Sequence, residues 1–73
     1  MFRIGELAKL AGVTPDTIRY YEKQQMMDHD LRTEGGFRLY TDSDLQRLRF
    51  IRHGRQLGFT LDAIRELLSI RID

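Results

Sequence analysis

The stretch Gly12-Val13-Thr14-Pro15-Asp16 ends one helix and starts another within five residues, and no other feature of the 73-residue chain restricts its folding as tightly. Glycine accepts the left-handed conformation that closes a helix. Thr14 offers the hydroxyl that caps a new one, Pro15 suits the first helical position because its missing N–H has no partner there anyway, and Asp16 favours the positive helix end. Upstream, Ile4, Leu7, Ala8 and Ala11 keep the i, i+3, i+4, i+7 spacing of a short amphipathic helix, predicted over residues 5–11. Two helices therefore meet across a tight turn. This is the grammar of a helix-turn-helix, and equally of helical hairpins that never touch DNA.

Placed on a helical wheel, Thr14, Thr17, Ile18, Tyr21 and Gln25 share one side of the second helix, while Asp16, Arg19, Tyr20 and Lys23 share the other. Ile18 and Tyr21 are expected to anchor against Leu7, Leu10 and Val13. The opposite side turns an arginine, a lysine and a tyrosine hydroxyl towards solvent. Mixed charge on an exposed helix is common, but an outward aromatic ring needs a reason, and it points to a surface that meets something polar and negative.

Residues 31–40, LRTEGGFRLY, switch from helical spacing to alternation, with Gly35-Gly36 marking a turn. A three-residue loop, Glu34-Gly35-Gly36, pairs Thr33 with Phe37, Arg32 with Arg38 and Leu31 with Leu39, leaving Tyr40 on the arginine face. An isolated hairpin is marginal in water, so its apolar face must lean on helices. Such a hairpin beside a helix-turn-helix is a wing. After it, Thr41 with Asp44 forms a capping box for a third helix that Gly58 can end, and Thr60 caps a fourth, with Phe59 placed to staple onto Ile64. Leu45, Leu48 and Ile51 face a stripe of Leu61, Ile64, Leu67 and Leu68 in an antiparallel helical hairpin, while Phe50 and Leu57 point elsewhere.

Composition removes several classes of function. With no cysteine there are no disulfides, thiolate metal sites or cysteine nucleophile, so a domain this small is held by packing or by partner chains. No apolar run approaches the ~20 residues that span a bilayer. MFRIGELAKL lacks the apolar stretch of a secretory signal, which makes a cytoplasmic location the expectation. The histidines, His29 beside Asp28 and Asp30 and His53 within the third helix, form no set of acid, base and nucleophile, and neighbouring residues rarely converge on one metal ion. Neither an enzyme nor a metal site is expected. Net charge is only +1, but Arg47, Arg49, Arg52 and Arg55 run through the third helix with no acid among them.

Taken in order, RIGELAKLAGVTPDTIRYYEK, RTEGGFRLYTDSDL and RQLGFTLDAIRELLSI resemble the N-terminal DNA-binding region of the MerR family of transcriptional regulators, most closely its zinc-responsive members, across essentially the whole chain. The resemblance implies a mostly α winged helix-turn-helix with a short β-hairpin wing and a C-terminal helical hairpin, residues 1–73 forming one domain. Its second helix would enter the major groove while the wing and the helix pair grip flanking phosphates. It implies a homodimer on a pseudo-palindromic promoter, whose distortion lets RNA polymerase engage when an effector binds. The dimerisation helix and the metal-sensing region, where zinc would bind, are expected outside these residues; no cofactor is expected within them.

Carried over by resemblance, Arg19 matches the recognition-helix arginine, Tyr20 and Tyr21 the aromatic pair, Arg32, Arg38 and Tyr40 the wing positions near the backbone, and Arg55 a basic position on the third helix. Asp16 and Lys23 share the face of Arg19; a carboxylate repels phosphate, so Asp16 would meet a base amino group or solvent. Arginine suits phosphate because its planar fork bonds two oxygens, and the helix N-termini at Thr14 and Thr41 can offer N–H groups. Two rival readings stay open: an excisionase-like architectural DNA-binding protein, and a protein-interaction module docking through Phe50 and Leu57. Basic residues on non-apolar faces suit a polyanion better than a dry protein groove.

Overall fold

The computed structural model describes residues 1–27 and 38–70, which build four helices: α1 (Ile4–Ala11), α2 (Pro15–Lys23), α3 (Asp42–Gln56) and α4 (Leu61–Ile70). Each start is written locally. Thr14 Oγ1 accepts the Thr17 N–H at 3.1 Å with Pro15 in the first turn of α2. Thr41 and Asp44 exchange bonds at the head of α3, Oγ1 accepting the Asp44 N–H at 3.2 Å and the Asp44 carboxylate accepting the Thr41 N–H at 2.8 Å. Thr60 Oγ1 accepts the Ala63 N–H at 3.1 Å before α4. The α1–α2 turn requires glycine: Gly12 has φ 72°, a left-handed value that strains a residue carrying Cβ.

Helix α1 packs on both α2 and α3, and α4 folds back on α3. The core is one cluster: Leu7, Ala8 and Ala11 of α1, Ile18 and Tyr21 of α2, Leu45, Leu48 and Ile51 of α3, Ile64 and Leu68 of α4, with Met26, Met27 and Tyr40 from the connecting segments. Gly54 is what lets α4 approach α3. A Cβ there would lie 2.9 Å from the buried Ile64 Cδ1, inside contact distance, so the helix propensity lost at a glycine in the last turn of α3 is exchanged for close packing.

Four expectations change. Phe50, expected to point away from the core, is partly buried and packs against it, while Leu57 is exposed as expected. Leu10 is exposed rather than packed against Ile18, and Leu67, placed in the α4 stripe, is also exposed, because each is the fringe of an apolar face whose centre (Leu7, Ile64, Leu68) fills the available space. Tyr40, expected outward with the arginines, is 1% exposed. It forms an antiparallel bridge with Phe2, Phe2 N–H to Tyr40 O at 2.7 Å and the return bond at 2.8 Å, which draws it across the N-terminus into the core. The hairpin expected over residues 31–40 lies outside the described residues as far as Phe37, as do Arg32, Leu31 and His29 with its flanking aspartates. No helix among the described residues is long and apolar enough to cross a membrane.

Candidate nucleic-acid interface

Helix α2 separates its residues as the wheel implies. Ile18 is fully buried and Tyr21 is 8% exposed, while Asp16, Arg19, Tyr20 and Lys23 face solvent, with Tyr20 48% exposed. The two tyrosine ring centroids lie 5.8 Å apart in a tilted arrangement, so the buried ring of Tyr21 steadies the exposed one. Asp16 finds its partner within the helix: Arg19 Nη1 donates to Asp16 Oδ1 at 2.9 Å. Both side chains are well exposed, so the pair adds little stability. Its effect is to hold the guanidinium over the first turns of α2, where further N–H donors remain to be offered. Thr14 is committed to capping, its hydroxyl also meeting Thr17 Oγ1 at 2.9 Å.

The basic residues divide into two groups once their partners are known. Arg55 is exposed at the end of α3 and donates through Nη1 to Phe59 O at 2.9 Å. Arg47, in contrast, donates to Met26 O, and Arg65 of α4 donates to Gln24 O at 3.0 Å and to Asp62 at 2.7 Å. Those two arginines satisfy carbonyls just beyond α2, where Gln25 takes a left-handed φ of 60° to end the helix. They tie the end of α2 to α3 and α4.

The same end of α2 carries a group that sequence reasoning passed over. The Glu22 side chain is 6% exposed; its Oε1 accepts from Arg38 Nη1 at 2.7 Å and its Oε2 from the Tyr40 hydroxyl at 2.6 Å. Burial, helped by the bond to Glu22, pushes the Tyr40 phenol up to about 12. Tyr40 is thus a buried donor rather than an outward contact, and Arg38 is engaged by a carboxylate. The clue in the sequence was spacing: Glu22 stands four residues after Ile18, on the inward side of α2, and a carboxylate there demands donors. What the sequence did not say was which donors.

This arrangement of turn, capped second helix and following helical pair can be compared with known proteins. Residues 2–70 match the family described as MerR HTH family regulatory protein. The chain belongs to the MerR family. It is 84% identical over 73 residues to the HTH-type transcriptional regulator ZntR of Escherichia coli (strain K12), covering all of this chain and 52% of that protein. Among solved MerR-type structures, the transcription regulator PbrR691 of Ralstonia metallidurans CH34, in complex with lead(II), superposes with a TM-score of 0.90 at 49% identity, over 97% of this chain and 56% of that one. HiNmlR, a MerR family regulator lacking the sensor domain and bound to promoter DNA, superposes with a TM-score of 0.86 at 28% identity, over 93% and 52%. The chain therefore spans about half the length of the MerR relatives it matches.

Proposed function

We propose that this chain reads promoter DNA for a metal-responsive transcriptional regulator, with zinc as the metal, and that it acts within a homodimer whose sensing site lies outside residues 1–73. The observation that carries the reading is the face of α2: Arg19, Tyr20 and Lys23 exposed together on a helix whose other side and both ends are anchored. Such a helix can enter a major groove with its side chains already placed. Arg19 has the fork that reads a guanine edge or a phosphate, Tyr20 and Lys23 extend the same surface, and Arg55 offers a cation to a flanking phosphate. Arg32 belongs to the same proposal by resemblance. The homodimer reading is supported by the apolar side chains left exposed at the α3–α4 turn and along α4, Leu57, Phe59, Leu67 and Ile70, which suit cover by further protein. RNA polymerase would then act on the promoter that the dimer distorts.

The test is selection of a duplex from a random pool, followed by anisotropy against that duplex, a scrambled duplex and a zinc-exporter promoter over a range of salt. The expected result is preferential binding of the selected duplex with a salt slope of about −3 to −4 for one half-site. Equal affinity for selected and scrambled DNA would sink sequence-specific recognition and favour an architectural role.

A further inference from the structure

We propose that Glu22 is a positioning residue for DNA reading: through Arg38 and Tyr40 it sets the segment Arg38–Tyr40 against α2, so that these two residues serve binding without touching DNA. The inference rests on the DNA-binding reading above. Its basis is the junction at the C-terminal end of α2. Glu22 takes one donor on each carboxylate oxygen, from side chains 16 and 18 residues further along the chain. Tyr40 is tied by its backbone to Phe2, immediately before α1. Arg47 of α3 and Arg65 of α4 hold the carbonyls of Met26 and Gln24 just past the same helix end. One buried carboxylate therefore sits where α2, the N-terminal segment and the stretch preceding α3 meet.

This placement separates two components of binding. Attraction to phosphates depends on charge and tolerates small shifts between elements, whereas base reading requires Arg19 and its neighbours to arrive in register with the flanking grips. A binding constellation held loosely by its supporting residues loses that register at shifts of about 0.5 Å. Removing Glu22's charge leaves every cation of the surface in place and loosens only their mutual placement. Loss of Glu22 should therefore lower discrimination between sequences and leave the phosphate count unchanged.

The experiment compares wild type, Glu22→Gln, Arg38→Gln and the double variant for affinity to the selected and scrambled duplexes across a salt series, at a temperature where circular dichroism shows each fully folded. The expected result is a fall of about tenfold in the selected-to-scrambled ratio for Glu22→Gln, an unchanged salt slope, and a double variant no worse than the worse single one. A purely structural loss lowers the active fraction equally for both duplexes and leaves the ratio alone, which would overturn the proposal. So would a slope shallower by about one in Arg38→Gln, the mark of a lost phosphate contact, or tighter binding of both duplexes by Glu22→Gln through a released Arg38. If Glu22→Gln does not fold, Tyr40→Phe, which keeps the Glu22–Arg38 pair, must show the same loss of ratio at constant slope. A wild-type chain that selects no DNA overturns both readings; one that selects DNA while the variants keep its preference overturns only this one.

Discussion

Replacing Tyr40 with phenylalanine removes a single hydroxyl from the core, and its consequence depends on pH in a way that identifies the cause. The hydroxyl donates to Glu22 Oε2 at 2.6 Å, and the residue is 1% exposed. A hydrogen bond to a charged acceptor contributes about 1.5–3 kcal/mol, and here Arg38 still serves the other oxygen, so the expected cost near neutral pH is about 1–2 kcal/mol. For a domain of this size that lowers Tm by roughly 4–8 °C per kcal/mol. The phenol of Tyr40 is held up at about 12, above its ordinary value of 10.0, through burial and the Glu22 bond. Below the ordinary value both folded and unfolded chains keep the proton, and the contribution is constant. Above it the unfolded chain releases the proton while the folded chain retains it, so the unfolded state binds fewer protons and stability falls as pH rises towards the folded value. Wild type therefore loses about 1 kcal/mol of this contribution by about pH 11, a loss that the phenylalanine variant does not share. Tyr20 and Tyr21 are common to both proteins and cancel in the difference. Urea titrations followed by circular dichroism from neutral pH to about pH 11 should show the two stabilities converging. A difference that stays constant with pH, or one below about 0.5 kcal/mol at neutral pH, would refute the buried Tyr40–Glu22 bond as its source.

Gly54→Ala, which helix propensity alone would favour, should instead destabilise by about 1–3 kcal/mol in chemical denaturation, because its Cβ would meet Ile64 Cδ1 at 2.9 Å in the packed α3–α4 contact. Gly12→Ala should cost about 1 kcal/mol or more by the same assay, since φ is 72° and the new Cβ would press on the Arg52 guanidinium at 3.3 Å. Arg19→Ala should weaken binding of the selected duplex by about 1–3 kcal/mol and flatten the preference at one base pair; uniform loss on all sequences would make Arg19 a phosphate contact. Zinc titrated calorimetrically into this chain should give no stoichiometric submicromolar site, as the sequence has no cysteine and no cluster of three His, Asp or Glu residues suited to a metal occurs among the described residues.

What the sequence alone determined is what depends on neighbours a few residues apart. The Gly12 stop, the Thr14, Thr41 and Thr60 caps and the outward grouping of Asp16, Arg19, Tyr20 and Lys23 all follow from helix geometry, in which a turn closes within four residues and a face repeats every third or fourth. Glu22, four residues after Ile18, shares the inward side of α2, yet its role went unread in the sequence until the structure showed its carboxylate buried between two donors. Only the tertiary structure decided which donors. Arg38 and Tyr40 reach Glu22 across 16 and 18 residues, Arg65 reaches Gln24 across 41, and Tyr40 pairs with Phe2, none of which a local period encodes. For that reason arginines alike in sequence have different fates: Arg19 bonds Asp16 on the exposed face of α2 and Arg55 bonds Phe59 O at the α3–α4 turn, while Arg47 and Arg65 reach back to the carbonyls of Met26 and Gln24 just beyond α2. The limits of the apolar faces were settled in the same way, Leu10 and Leu67 staying in water because the core volume is filled by Leu7, Met26, Ile64 and Leu68, and that volume exists only once all four helices have met.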